Sequence, residues 1–406
     1  MMNNCLINDP DLSDKLKRKI IEIGDCIKET RESDVSLFNG KAGIAIFWAY
    51  YSEIMDNVDT DKILPTIVYE IFDRIKSGNV SYSFAEGGAG IGWVIEHLKQ
   101  KEYIDFDSGK FMSWLDSLLY PKMIKELRDG HYDFLHGALG LAWYFFNHPP
   151  YSDTRTYIVK LVDELRKKGK SLKHGIAWES RMYNNGKEKV YNLSLSHGIA
   201  SIIVILSRLY EANIAKEEIS ELIEGAVDYL LHYKQDPLSS RYLYPSWISK
   251  KKSKQNKDGR LAWCYNDLGI SLSLLQAGQI FDNVEWRQEA INTLTHTTNI
   301  LGLEEAGVKD AGLCHGTSGI AHLYHRAYKY TGIEKYKETA IYWLNETLRL
   351  ATYSDGLAGY KTYRTPEFGG IQNNTCFLEG IAGIALSFIP FISEVEPSWD
   401  RALLLS

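Results

Sequence analysis

Seven times along its 406 residues the chain repeats a Gly-x-x-Gly step followed by a run of small and apolar residues. The copies open at Asn39-Gly40-Lys41-Ala42-Gly43, Glu86-Gly87-Gly88-Ala89-Gly90 and His136-Gly137-Ala138-Leu139-Gly140. The fourth, His197-Gly198-Ile199-Ala200-Ser201, has serine for the second glycine, and the fifth, Tyr265-Asn266-Asp267-Leu268-Gly269, has asparagine for the first. His315-Gly316-Thr317-Ser318-Gly319 and Glu379-Gly380-Ile381-Ala382-Gly383 complete the series. Starts at 40, 87, 137, 198, 266, 316 and 380 are separated by 47, 50, 61, 68, 50 and 64 residues. Periods of this order mean stacked supersecondary units, with the longer steps absorbing insertions.

A charged stretch with apolar residues at helical spacing precedes each copy. Asp11 to Thr30 carries Leu12, Leu16, Ile20, Ile23 and Ile27, and Ala215 to His232 carries Ile219, Leu222, Ile223, Val227 and Leu230. Similar segments run near 61–76, 111–128, 154–168, 284–301 and 334–350. Lysines and glutamates between the apolar positions predict surface helices. Each Gly-x-x-Gly leads instead into a uniformly apolar helix, such as Ile44–Tyr50 or Ile199–Leu209, buried on most sides, with glycines permitting close backbone approach. The first and last inner copies are as apolar as the middle ones, with no polar cap, which favours a closed ring over an open solenoid. The expected fold is all-α, a double α/α toroid of seven outer and seven inner helices. One continuous repeat argues for a single domain over 1–406, with small insertions near 174–191 and 236–260.

Composition narrows the function. A formal charge of 46 − 52 = −6 gives no nucleic-acid signature. No apolar run reaches membrane-spanning length, and Met1-Met2-Asn3-Asn4-Cys5 lacks a basic-then-apolar secretion signal. Five cysteines (5, 26, 264, 314 and 376) are few and odd in number, which fits reduced thiols in a cytoplasmic setting.

Aligning the copies exposes chemistry. In a ring of equivalent units, one slot points to one place, here the N-terminal ends of the inner helices. One residue before the first glycine stand Asn39, Glu86, His136, His197, Tyr265, His315 and Glu379; two before, the fifth and sixth copies carry Cys264 and Cys314. Adjacent units with cysteine in one slot can share a metal ion. Two thiolates and the imidazole of His315 suit Zn²⁺ and leave its fourth position open, as a catalytic zinc requires. Helix N-termini favour the thiolate form. Asp133 lies one helical turn ahead of Gly137.

With Tyr132-Asp133, Ser196-His197-Gly198-Ile199-Ala200, Arg260-Leu261-Ala262-Trp263-Cys264-Tyr265 and Leu313-Cys314-His315-Gly316 in this order and phase, the chain resembles the lanthionine synthetase cyclases, the LanC-like proteins. The resemblance runs through all seven copies. It implies Zn²⁺ on Cys264, Cys314 and His315, His197 and Asp133 as the proton-transfer pair, and Arg260 and Tyr265 as companions in the site. It further implies thioether ring closure in a ribosomally made precursor peptide already dehydrated at serine or threonine. A dehydratase and an exporter would be partners, in the cytoplasm within a membrane-associated biosynthetic complex. Two alternatives within the family are addition of glutathione to dehydrated residues and non-catalytic peptide binding. The departures, Asn266 and Ser201 in place of the family's glycines, fall in the backbone turn rather than among the ligands.

Other residues carry blander expectations. Cys5, Cys26 and Cys376 read as small buried hydrophobes. His136, Glu86 and Glu379 read as structural rim groups. His322 and His325 share a helix with Cys314-His315 but sit turns below the rim, so they are left out of the ligand set. The lysine run Lys250-Lys251-Lys252-Ser253-Lys254-Gln255-Asn256-Lys257 is a solvated loop by default and a contact for an acidic peptide segment otherwise. Asn184-Asn185-Gly186 signals a turn in a small hairpin. A prenyltransferase ring would place an aspartate and a cysteine close together, and a carbohydrate-active barrel would need a working carboxylate pair.

Overall fold

A computed structural model describes residues 6–7, 9–55, 59–78, 80–148, 153–180, 189–249 and 259–406. Its helices follow in chain order as α1 (Pro10–Glu29), α2 (Lys41–Ser52), α3 (Thr60–Lys76), α4 (Gly88–Gln100), α5 (Gly109–Arg128), α6 (Ala138–Phe146) and α7 (Thr154–Lys168). They continue as α8 (Ile199–Glu211), α9 (Lys216–His232), α10 (Asp267–Ile280), α11 (Val284–Thr297), α12 (Thr317–Thr331), α13 (Glu334–Arg349) and α14 (Ile381–Ile392). Odd-numbered helices form the outer layer and even-numbered ones the inner layer. Helix α1 buries Leu12, Leu16, Ile20, Ile23 and Ile27 along one stripe, and the Asp9 carboxylate caps it by accepting from Asp11 N–H at 3.0 Å. Helix α14 buries every residue from Ile381 to Phe391. A one-sided stripe can only face a core, whereas an all-round apolar helix needs neighbours on every side. The two patterns therefore sort themselves into layers.

The inner helices pack in sequence, α2 on α4, α4 on α6, α6 on α8, α8 on α10, α10 on α12, α12 on α14, and α14 back on α2. The fold is a closed α/α toroid. Its second Gly-x-x-Gly glycine is a matter of space: a Cβ on Gly90 would stand 1.9 Å from the Phe84 carbonyl oxygen, and one on Gly319 1.9 Å from that of Leu313.

Residues two before the first glycine build a collar. Phe38 N–H donates to Ala85 O, Ala85 N–H to Leu135 O, Ser196 N–H to Cys264 O, Cys314 N–H to Leu378 O, and Leu378 N–H to Phe38 O. Trp263, one position earlier, donates to Cys314 O. The collar thus crosses the seam between the last and first copies. Below it the axis is filled. The Phe38 ring meets Phe377 at 5.8 Å and, across the ring, Trp263 at 6.3 Å, while Phe377 meets Trp399 at 5.7 Å. The last residues close the opposite end: Trp143 and Trp263 donate their indole N–H groups to Arg401 O and Leu403 O, and Gln276 donates to Leu404 O. Asp400 is buried there between Arg326, at 2.5 and 2.8 Å, and His322, at 2.7 Å.

The insertions form small sheets. Strands β1 (Lys170–Leu172) and β2 (Gly175–Ala177) pair as a hairpin. Strands β3 (Glu179–Ser180) and β4 (Val190–Asn192) pair antiparallel, and β5 (Trp247–Ser249) from the later insertion pairs with β4. Strands β6 (Thr362–Tyr363) and β7 (Ile371–Gln372) form a further antiparallel hairpin before the seventh copy. The lysine run 250–257 and the Asn184-Asn185-Gly186 turn lie outside the described residues. Among those described, no helix is long and apolar enough to cross a membrane, and Cys26, Cys264, Cys314 and Cys376 are free thiols.

Candidate functional site

Each inner helix rises from the same tight turn, so equal slots face one end of the toroid. The turn demands glycine for space: a Cβ on Gly198 would lie 2.2 Å from Asn192 O, and one on Gly137 2.6 Å from His131 O. Four residues before this glycine a short polar side chain often caps the turn. Ser194 Oγ accepts from His197 N–H at 3.2 Å, and Ser83 Oγ accepts from Glu86 N–H at 3.2 Å. In the third copy the capping residue is Asp133, whose Oδ1 accepts from His136 N–H at 2.8 Å. A carboxylate has a second oxygen to offer. Asp133 Oδ2 takes it to the neighbouring copy and meets His197 Nδ1 at 2.6 Å.

Burial opposes charge on Asp133, yet His197 and the His136 N–H outweigh it and hold the carboxyl below its ordinary range. An ionised carboxylate can only accept, so His197 carries its Nδ1 proton toward Asp133 and leaves Nε2 for chemistry. The His136 ring lies parallel to His197 at 6.3 Å, and the Tyr265 ring stands 5.7 Å away on the other side. A small cavity of about 80 Å³ runs from this pair toward Trp178 and Asn192.

One copy further round, Cys264, Cys314 and His315 converge, their ligand atoms all within 4.8 Å of one another. Cys264 is buried, while Cys314 and His315 are half-buried. The sequence leads one to expect both thiols lowered by their helix N-termini; instead they diverge. A hydrogen bond from Cys314, with His315 and Arg260 nearby, holds the Cys264 thiol well below its ordinary value. The same bond and burial push Cys314 up. Two adjacent thiols resist carrying two negative charges, so the first to ionise suppresses the second. Burial disfavours charge on His315, but the hydrogen bond with Cys264 and the Asp310 carboxylate raise it. Three soft or borderline donors this close, two thiols and one imidazole, fit a tetrahedral zinc with one position left for substrate.

The turns carrying the two groups are joined. Ser196 donates from both N–H, at 3.4 Å, and Oγ, at 3.0 Å, to the Cys264 carbonyl. All seven residues singled out in the sequence therefore lie on adjoining turns at one end of the toroid. Asp133 pairs with His197, Tyr265 stands beside that ring, and Arg260 adds positive charge near both thiols. His322 is tied to Asp400 at the far end, away from the ligands. Cys376 is buried against the N–H groups of its own turn, and burial pushes its thiol up to about 11.

Two features go beyond the sequence reading, which placed Asn266 in the backbone turn and Glu379 among the structural rim groups. Asn266 starts α10 with φ +63° and ψ −151°, where the other copies keep an extended glycine. Its Nδ2 donates to Tyr244 O at 2.9 Å and its Oδ1 accepts from Arg260 N–H at 3.4 Å. The next residue, Asp267, accepts from the N–H groups of Leu243 and Tyr244 at 2.9–3.0 Å. Asparagine and aspartate together grip the insertion that delivers Arg260. The second feature is Glu379, ion-paired to Arg364 at 2.7 Å on the rim beside Cys314. The spacing marked both positions but not their partners, because each partner comes from an insertion.

The lanthionine synthetase C-like protein family matches residues 31–404. The chain belongs to that family. Nisin biosynthesis protein NisC of Lactococcus lactis subsp. lactis is 23% identical to it, over 98% of this chain and 97% of that one. A protein of Danio rerio named glutathione S-transferase LANCL1 is 21% identical, over 93% and 90%. The solved structure of a nisin cyclase superposes with a TM-score of 0.73 at 19% identity, covering 98% of each chain, and shares the toroid.

Proposed function

We propose that this chain is a zinc-dependent cyclase that adds cysteine thiolates of a dehydrated precursor peptide to dehydroalanine or dehydrobutyrine, closing lanthionine and methyllanthionine rings. The observation that carries the reading is the pair of hydrogen bonds that Ser196 donates to the Cys264 carbonyl, which sets a carboxylate–histidine pair beside a two-thiol, one-imidazole group. Zinc held by Cys264, Cys314 and His315 would keep an incoming thiol ionised near neutral pH, where a free thiol of pKa about 8.5 is mostly protonated.

The chain's own groups supply the rest. His197 Nε2 receives the proton released by the incoming thiol while Asp133 steadies the imidazolium at Nδ1. The thiolate sulfur bonds to the β-carbon of the dehydrated residue, and the alkene electron pair moves toward the adjacent carbonyl as an enolate. Arg260, whose charge already acts on both cysteines, stabilises that oxygen. His197 then returns its proton to the α-carbon. The sequence of steps is neutral in protons, so no buried charge is left behind. Tyr265 walls the His197 ring on the side of the metal group. The partners in this reading are the dehydrated peptide itself and, in the same biosynthetic route, a dehydratase and an exporter.

The name of the Danio rerio relative favours one competing thiol, glutathione. Purified protein is incubated with a synthetic peptide bearing one dehydroalanine and one cysteine, with and without glutathione. Cyclisation leaves the mass unchanged and removes the alkylatable thiol, whereas glutathione capture adds the mass of the tripeptide. Retention of the free thiol without any mass gain overturns both reactions and leaves a binding protein.

A further inference from the structure

The β6–β7 hairpin stands over a cavity that the proposed chemistry does not use. The cavity measures about 570 Å³ and lies at the seam between the seventh and first copies. Four amide side chains line it, Asn39, Gln372, Asn373 and Asn374, together with Arg364 and Glu32. It adjoins the metal group through the rim. Asn39 is the first copy's rim residue, Arg364 holds the seventh copy's Glu379, and the Glu379 backbone crosses so near the Gly312 turn that a Cβ there would stand 2.9 Å from Glu379 O.

The hairpin itself is fastened to the same turns. Thr362 Oγ donates to Glu379 O at 2.7 Å, and Tyr363 N–H donates to Asp310 Oδ2 at 2.9 Å, two to four residues ahead of the Gly312–Cys314 turn. Residues two apart on a strand share a face, and Thr362 pairs with Gln372, so Arg364 and Gln372 both turn toward the cavity. The tip is aimed outward. Gly369 and Gly370 have φ +100° and +67°, a reversal that leaves Phe368 73% exposed.

An amide side chain offers one donor group and one acceptor on a single plane, the same pair that a peptide bond presents. Asn39, Asn373 and Asn374 each spend one half of the amide inside the protein, on Glu86 Oε1, Asp355 O and the Cys376 N–H, and offer the other half, with Gln372, to a backbone lying along the groove. Phe368, exposed on the hairpin next to Gly369, whose Cβ position faces the Gln372 amide, adds an apolar contact of the kind that anchors chains at binding surfaces. We infer that the seam cavity and the Phe368 tip form a holding subsite for an extended segment of the substrate peptide that flanks the reacting residues. This rests on the cyclase reading above and assigns the stretch of peptide outside the closing ring to this side of the rim. Backbone recognition suits a peptide whose side chains vary from one ring to the next.

The test uses two synthetic peptides that share one dehydroalanine and one cysteine, a long one with flanking residues and a short one without. Gln372→Ala and Phe368→Ser are chosen because neither side chain reaches the metal ligands or the His197 pair. Each substitution should raise the Kd of the long peptide about 3- to 10-fold, read by anisotropy of a labelled copy, as loss of one or two polar or aromatic contacts does. Kd and turnover of the short peptide, and metal content, should not change. Equal affinity of wild type and the double variant for the long peptide, with wild type cyclising it, overturns the subsite and leaves the cyclase reading standing. Weakened binding of the long peptide without cyclisation by wild type supports the subsite and overturns the chemistry. A parallel loss on the short peptide assigns the effect to the reaction centre and overturns the subsite.

Discussion

Ser196 and Cys264 occupy the same slot of neighbouring repeats, and the first donates to the carbonyl of the second from both its backbone and its hydroxyl. His197, the proposed proton carrier, is one position after Ser196, and the first thiol is Cys264 itself. A shift of one turn therefore shifts the other.

Metal content is the first expected outcome. Purified protein should hold close to one zinc per chain. Cys264→Ala and Cys314→Ala should each lose most of it while keeping the helical circular dichroism of wild type, because the toroid core is apolar and does not depend on a rim ion. Elemental analysis after dialysis reads this directly. Full zinc in the double variant would remove these thiols from the ligand set.

His197→Ala should retain metal and bind peptide but close rings about 10²- to 10⁴-fold more slowly, the usual cost of losing a positioned acid–base group. Asp133→Asn keeps the shape but not the charge that steadies the imidazolium, and should fall between wild type and His197→Ala. Single-turnover loss of alkylatable thiol distinguishes them. Equal rates in all three would place proton transfer elsewhere.

Asn266 sits in a backbone region that costs about 1–3 kcal/mol for a residue with a Cβ. Asn266→Gly relieves that strain and forfeits the side-chain hydrogen bonds with Tyr244 O, Ser246 Oγ and Arg260 N–H, so global stability in urea should stay within about 1 kcal/mol of wild type. Asn266→Val loses the bonds and keeps the strain, with a β-branched carbon at positive φ, and should cost about 3 kcal/mol or more. A valine variant as stable as wild type would show the turn to be relaxed.

Acid stability should follow Asp400. Burial opposes its charge, but Arg326 and His322 hold the carboxyl well below the usual carboxylate range. A depressed folded value means the network stabilises fully above the unfolded aspartate pKa of about 3.9 and is lost as pH falls below it. Asp400→Asn should destabilise at neutral pH by about 3 kcal/mol, the low end of what breaking a buried pair costs, since Arg326 keeps Glu396 as a partner, and should flatten the acid side of the stability–pH curve. Denaturant titrations at a series of pH values check both.

Much of this was legible in one dimension. Outer helices expected at 154–168 and 284–301 are found at Thr154–Lys168 and Val284–Thr297, because a 3.6-residue apolar stripe is a local property. That Cys264 and Cys314 meet was legible for the same reason: the repeat converts position in sequence into position on a rim, so two thiols fifty residues apart could be placed together. What the spacing could not show is pairing between insertions. Strand β5 joins β4 across a helical pair, and two-residue strands such as β6 and β7 carry no alternation to detect. Arg326 and Asp400 are 74 residues apart with no shared slot, so their ion pair exists only in three dimensions. The conformation of Asn266 is likewise set by Tyr244 and Arg260 rather than by its own neighbours.

The aromatic stack of Phe38, Trp263, Phe377 and Trp399, backed by the last residues of the chain, makes the toroid a bowl rather than a tube. A polypeptide cannot be threaded through it. Among the described residues the thiols are reached from the rim side, and under the cyclase reading a finished thioether loop would have to back out before the next cysteine takes its place. For a substrate with several rings, the order of closure would then be a record of successive visits rather than of a single passage.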